Sequence, residues 1–364
     1  MQLSFFPSRA LALYVGRTFL SRCVAMLVML VMVLMILDLL SEAGKILAHP
    51  GNSDAEVWRY VSLRVPEITA RFLPFAVLLG TLFTLTTLNH NSEVISMKAA
   101  GLSAHQILAP LTIVAAGIAV VSFVFNERIV SRSVSARIAW EAVGFGDIPK
   151  DSGVKSNVWV RDGDDLIRAG VIAGRGDEVV LRDVEIYDRS GENLIATVWA
   201  PRGRRVGDAW VLEDARRFVV GTGAQQTLGT LEVGRNVRPD QFTLSQINPD
   251  GTSYWDLSES IDALRAAGRP TETLEAALWH KIAGPLSTVL MPLLGSVAAF
   301  GIARSGKLLV RAVIGMALGF GFFVVDNFSL AMADLGVYPP FLGAWAPFLL
   351  FFLVGEMVLI RTEE

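Results

Sequence analysis

Six apolar runs, three on either side of a polar middle, leave this chain few ways to fold. Cys23–Leu37 is unbroken and continues through Asp38 to Leu40, and Phe72–Leu88 and Ile107–Phe125 follow. Past the polar middle come Ile282–Ile302, Ala312–Ala333 (interrupted by Asp326) and Leu335–Gly355. A hydrocarbon layer about 30 Å thick is crossed by roughly 20 residues of helix, so each run predicts a membrane span. Charge obeys the same division. Residues 127–275 hold 19 of the 32 Lys+Arg and 24 of the 35 Asp+Glu, although they are fewer than half of the 364 residues. That segregation excludes a single soluble globule, and the long apolar runs exclude disorder. The segment 127–275 has a net charge of −5 and the remainder +2, the wrong balance for a nucleic-acid binder. One cysteine, Cys23, excludes an intrachain disulfide and a cysteine-based zinc site, and the four histidines are too scattered for a metal cluster.

The expected fold is therefore a membrane α-helical bundle of six transmembrane helices with an inserted all-β domain. Residues 1–126 would hold helices one to three, 127–275 the outward domain with flanking helices, and 276–364 helices four to six. Arg9, Arg17 and Arg22 before the first run resemble a signal peptide, but no small-residue cleavage site follows Leu40, so an uncleaved helix is expected. The loop between spans four and five carries Arg304, Lys307 and Arg311 and no acid; the connection between spans five and six has Asp334 and no base. The positive-inside bias then puts both termini in the cytoplasm and 127–275 outside it.

From about residue 154 to 245 the period becomes strand-like. Val158–Arg161, Leu166–Gly170, Val179–Tyr187, Leu194–Trp199 and Trp210–Leu212 are rich in β-branched and aromatic residues. Asp162-Gly163, Gly176-Asp177, Ser190-Gly191 and Gly207-Asp208 punctuate them as turns. Short strands at this spacing predict a sandwich, jelly roll or open barrel, with Val180, Ile186 and Val198 facing its interior. Glu127–Ala142 reads as a helical continuation of span three, and Leu257–Ala266 and Thr273–Leu278 as short helices leading into span four.

Two motifs imitate chemistry. Gly301–Lys307 approaches a phosphate-binding loop, but Leu308 stands where Ser or Thr must hold Mg²⁺, so no nucleotide site is expected here. Gly144-Phe-Gly-Asp147 resembles an element of intramembrane aspartyl proteases, yet Asp147 sits in polar sequence with no partner acid in view. The acids inside spans are Asp38 and Asp326. At 1.5 Å per residue they lie about 24 Å above Arg22 and about 22 Å above Arg311, near the outer rim, where an acid can reach water.

Binding surfaces are better candidates. Met26, Met29, Met32 and Met35 fan over half of the first helix and offer a deformable wall for acyl chains, or ordinary packing. Lys45, Arg59, Arg64 and Arg71 lie beside the first outer connection, and Arg128, Arg132 and Arg137 just above span three. Arg128 and Arg132, one turn apart, would share a helix face. Together these cations suit an anionic headgroup, with snorkelling anchors as the plain alternative. The stretch 89–106 is too patterned for a simple turn. Ser92 and Glu93 open it as a cap with an acid in the first turn, Val94, Ile95 and Met97 give it an apolar side, and Gly101 can stop it. A short amphipathic helix over about 91–103 would lie along the cytoplasmic surface, either as an interfacial helix with no partner or as a plug for a cytoplasmic subunit, with Ser92, Glu93, Val94, Met97, Lys98 and Gly101 as the coupling residues.

At these residues the chain resembles the lipopolysaccharide-export permease family (LptF/LptG). The order of three spans, β domain and three spans is the family's, and Ser92-Glu93 through Ala100-Gly101-Leu102 is similar to its coupling helix. Trp279-His280-Lys281 before Pro285 and Pro292 is similar to the Trp-Arg-Lys entry of the fourth span, with His280 in place of Arg. Asp326, the Pro339–Pro347 run and Pro66-Glu67 with Pro74 and Gly80 resemble the LptG branch more closely. The branch often carries lysines near Asp38–Gly44, where this chain has Leu39, Ser41 and Glu42 and only Lys45 is basic. The resemblance implies a periplasmic β-jelly-roll and a bacterial inner-membrane location. It also implies a heterodimer with a related permease, on a cytoplasmic ATPase dimer that binds the ATP and Mg²⁺; this chain would hold no cofactor and perform no catalysis. The cargo would be lipopolysaccharide, passed to a single-span jelly-roll partner and a periplasmic bridge protein. Two other classes compete on the residues alone: an ion-coupled transporter using Asp38 and Asp326, and a non-transporting envelope scaffold.

Overall fold

A computed structural model of the chain describes residues 8–142, 144–146, 155–173, 179–190, 193–207, 209–234, 237, 247–266, 270–300 and 308–363. They form two compact units: Met1–Ile138 with Pro249–Glu364, and Ala139–Asn248. The helices are α1 (Arg9–Ala48), α2 (Asp54–His90), α3 (Glu93–Ala99), α4 (Ala104–Phe125) and α5 (Ser131–Ala142), then α6 (Tyr254–Ala266), α7 (Glu272–Phe300), α8 (Leu308–Asp334) and α9 (Pro340–Glu363). Among the described residues, five helical segments are long and apolar enough to cross a membrane: α1, α2, α4 with its continuation to Glu141, Val313–Asp334 and Pro340–Arg361. The expected fourth span falls on α7. Its last two residues, the loop 301–307 with Arg304 and Lys307, and Asp147 lie outside the described residues.

Local sequence explains the helix ends. Ser53 with Glu56, and Ser103 with Gln106, form capping boxes that satisfy the first amides of α2 and α4. Thr273–Leu278 is not a separate helix: α7 runs unbroken from Glu272, because no breaker stands between it and Pro285. The continuation of α4 holds one surprise, a π-helical turn over Asn126–Val130. It places the Glu127 carboxylate against the N-terminus of α6, where it accepts the Tyr254 amide at 2.8 and 2.9 Å. A negative charge there is favoured by the helix dipole.

Phe19 and Cys23 of α1 pack with Leu78 and Leu85 of α2, Ile107 and Leu111 of α4, Leu290 of α7 and Phe322 of α8. Gly80 permits the closest approach: a Cβ there would lie 3.0 Å from the backbone N and Cα of Cys23. Most of the rest of α1, including Leu20, Val28, Ile36 and Leu40, is exposed and therefore faces lipid or another chain.

The second unit carries one six-stranded antiparallel sheet in the order β1-β2-β3-β4-β5-β6. Its strands are β1 (Lys155–Asp162), β2 (Asp165–Ala173), β3 (Val180–Ser190), β4 (Asn193–Val206), β5 (Ala209–Val219) and β6 (Gln225–Val233). The described strands thus follow an up-and-down path, without the crossovers of a jelly roll. Tight connections dictate this: Asp162 pairs with Asp165 across Gly163, and Val206 with Ala209 across Gly207, both glycines at positive φ. Gly176-Asp177, Gly191 and Asp208 of the expected turns lie outside the described residues. Val158, Ile167, Val184, Val198 and Leu212 bury one face of the sheet, in a cluster that, among the described residues, consists of the strands with Val179 and Val237. Irregular positions bend a strand and change which side chains face each side of the sheet. The residues at positive φ, Asp183 and Asp214, sit where β3 and β5 break their alternation. The break at Asp183 corrects one expectation. Ile186 and Val198 face inward as expected, but Leu181 takes the inner place and Val180 is exposed.

Candidate functional site

The helix spacing of α2 sets Arg64, Glu67 and Arg71 on one face, three and four residues apart. That face meets Asp38 of α1 and Arg137 of α5. Arg64 holds Asp38 through Nε, 3.2 Å from both carboxylate oxygens, and through Nη2 at 2.9 Å to Oδ1. Tyr60 donates its hydroxyl to Asp38 Oδ2 at 2.7 Å. The other end of the Arg64 guanidinium reaches Glu67 Oε2 at 2.7 Å, and Arg137 Nη2 reaches the same oxygen at 3.1 Å. Arg71 touches Glu67 Oε1 only at 3.5 Å and keeps 54% of its side chain exposed. Beside the network opens a cleft of about 320 Å³, with Leu34, Leu37, Ile68 and Phe72 as apolar walls and Asp38, Arg64, Glu67 and Arg71 at its charged side. Apolar walls with fixed guanidinium groups at one edge are the recognition elements of an anionic amphiphile.

Asp38, whose side chain is 19% exposed, is thus a paired acid, and Arg64 supplies its counter-charge. Asp326 is likewise engaged, 3.0 Å from His280 Nε2 across α7 and α8. Of the expected headgroup cations, Arg64, Arg71 and Arg137 join the network. Lys45 is exposed and paired with Glu42 at 2.7 Å. Arg128 and Arg132 are exposed, the first within the π turn and the second just after it. The four methionines spread as their spacing requires: Met29 and Met32 are exposed, Met26 is half-buried and Met35 is buried.

The short helix of the 89–106 stretch is α3, narrower than 91–103. Ser92 does not cap it with its side chain, because its backbone is left-handed at φ 60°. Gly101 ends it at φ +85°, with Leu102 N–H donating back to Met97 O at 3.1 Å, the bond of a Schellman motif. Val94 and Met97 are buried in the helical core, so they fasten α3 to its own chain and do not form an open apolar face. Ile95, Ser96, Lys98 and Ala99 are its exposed residues. Glu93 accepts from Asn91 Nδ2 at 3.2 Å and from the Tyr14 hydroxyl of α1 at 3.4 Å.

A family model described as lipopolysaccharide export system permease LptF/LptG matches residues 13–361. This chain belongs to that family. Among its relatives, the lipopolysaccharide export system permease protein LptG of Escherichia coli K12 is 26% identical over 98% of this chain and 99% of its own length. The LptG of Haemophilus influenzae Rd is 26% identical over 96% of this chain and 98% of its own. In this LptF/LptG-family chain, sequence reasoning missed Tyr60 and Glu67 as members of one site, and counted Arg64 and Arg71 only as part of a diffuse ring. The i, i+3, i+7 spacing of Arg64, Glu67 and Arg71 was the available signal. It also missed the pair His105 Nε2 to Glu356 Oε2 at 3.1 Å, between α4 and α9.

Proposed function

We propose that this chain is the permease subunit of an ABC transporter that extracts lipopolysaccharide from the outer leaflet of the inner membrane. The observation that carries the reading is the cleft of α1 and α2, apolar on its walls and edged by the ion-paired Asp38, Arg64, Glu67 and Arg71. In this reading a related permease completes a heterodimer, a cytoplasmic ATPase dimer binds ATP and Mg²⁺, and six spans place both termini in the cytoplasm. The six-stranded sheet is part of a periplasmic jelly-roll path toward a single-span partner and a bridge protein. The pairing of Asp38 with Arg64 and of Asp326 with His280 speaks against a free carboxylate relay of the ion-coupled kind. The deciding experiment reconstitutes the chain with its partner permease and ATPase in proteoliposomes. Lipopolysaccharide release that requires ATP hydrolysis is the expected result; release without any ATPase would point to the ion-coupled class.

Topology is tested separately. Ser190, exposed at the end of β3, replaced by Cys in a chain with Cys23→Ser, should react with an impermeant thiol reagent in intact spheroplasts. Labelling confined to lysed cells would reverse the orientation.

Glu93 is proposed to carry force from the ATPase, with Ser92, Lys98 and the exposed Ile95 around it and Val94 and Met97 holding the helix in place. Removing one member of a desolvated charge pair across an interface costs about 2–5 kcal/mol. Glu93→Ala should therefore weaken ATPase association by orders of magnitude in Kd, whereas Tyr14→Phe, which removes only a long hydrogen bond at 3.4 Å, should cost little. Equal ATPase binding by wild type and Glu93→Ala would reduce Glu93 to a helix-terminus charge.

A further inference from the structure

Glu67 is arranged as a placeholder anion. One of its oxygens, Oε2, serves Arg64 at 2.7 Å and Arg137 at 3.1 Å at the same time. The other meets Arg71 at 3.5 Å, beyond the usual N–H···O range of about 2.7–3.2 Å. A flat carboxylate with two oxygens thus faces guanidinium groups from three directions and satisfies the third poorly. A phosphate has more oxygens, tetrahedrally disposed, and matches several guanidinium forks better than a carboxylate does. Asp38 is committed to Arg64 and Tyr60, and Arg71, exposed at the cleft, is the arginine that Glu67 holds least closely.

We propose that Glu67 is an internal competitor of the cargo: a phosphate-bearing headgroup displaces it from Arg137 and Arg71 while an acyl chain lies against Leu34, Leu37, Ile68 and Phe72. This inference rests on the export reading and adds a selectivity device to it. Arg64 retains Glu67 during the exchange, so the carboxylate stays beside the site. When the phosphate leaves, Glu67 returns, which keeps the affinity low enough for a transported ligand to be released. An amphiphile without phosphate gains nothing from the exchange and is discriminated against.

The test uses the full chain in its membrane complex, in phospholipid nanodiscs, with a phosphorylated glycolipid and its phosphate-free counterpart as probes. Glu67→Gln should bind the phosphorylated probe about three- to tenfold more tightly, as expected when a half-screened competing charge is removed, and the phosphate-free probe as wild type does. Arg71→Gln, at an exposed position that leaves folding intact, should weaken binding of the phosphorylated probe alone. Unchanged or weaker binding by Glu67→Gln at wild-type thermal stability overturns the proposal, and so does a gain equal for both probes. If Glu67→Gln melts early, Arg71→Gln decides, and its equality with wild type overturns the proposal. Inorganic phosphate competing as strongly as the glycolipid would also overturn it, because the apolar walls would then contribute nothing. A wild-type complex that binds neither glycolipid removes the export reading together with this inference; wild-type binding with both variants unchanged removes the inference alone.

Discussion

Arg64→Leu is expected to destabilise the helical unit by about 2–4 kcal/mol, read as a lower melting temperature in detergent. Removing one partner of a buried ion pair costs about 3–5 kcal/mol, and the partial exposure here discounts it. The loss is large because one guanidinium serves two carboxylates on two helices, Asp38 at 2.9 Å and Glu67 at 2.7 Å. Leucine would leave Asp38 with only Tyr60, and Glu67 with Arg137 and the distant Arg71. Arg64→Lys should recover only part of the stability, since an ammonium cannot present two ends of a planar fork. A double-mutant cycle with Asp38→Asn checks the cause: the two losses should be strongly non-additive. Simple additivity, or a melting temperature equal to wild type in Arg64→Leu, would show that α1 and α2 hold together without the network.

The second large effect is steric. Gly80→Val should cost about 3 kcal/mol, at the upper end of what overpacking usually costs, and should loosen α1 from α2. A Cβ at Gly80 would stand 2.5 Å from Cys23 Sγ and 3.0 Å from the Cys23 backbone N and Cα. The sulfur can be removed by mutation but the backbone cannot move without parting the helices. Cys23→Ala should therefore rescue Gly80→Val only in part. Gly319 provides the contrast, because the atoms a Cβ there would meet belong to the flexible Leu78 side chain. Gly319→Ala should be milder. Full rescue by Cys23→Ala, or equal losses at the two glycines, would contradict a backbone-to-backbone approach at Gly80.

Much of the architecture is legible without coordinates, for a physical reason. Crossing lipid demands long apolar helices and an exposed sheet face demands alternation, so both leave periodic traces in the chain. The runs at 23–40, 72–88 and 107–125 therefore locate α1, α2 and α4, and the turn glycines Gly163 and Gly207 mark where the sheet reverses. Gly101 could be read as the end of α3 because only a left-handed residue closes a helix that way cheaply. Other features depend on which side chain meets which across space. Asp38 and Arg64 are separated by 26 residues, and nothing in the period of either helix announces their contact. Val94 and Met97 have the pattern of an open amphipathic face, and only the neighbouring helices decide that this face is already covered.

The amino-acid sequence by itself determined the number of apolar runs, the inserted strand-rich segment, the charge asymmetry of the loops and the short helix between α2 and α4, because each follows from local composition and periodicity. The tertiary structure decided the rest. It turned dispersed arginines and acids into one network around Glu67, inserted a π turn that aims Glu127 at Tyr254, and used positive-φ residues at Asp183 and Asp214 to change which strand residues face inward. Local periodicity reports where a residue sits on its own element, whereas a site is made by charges from different elements that must neutralise one another away from water.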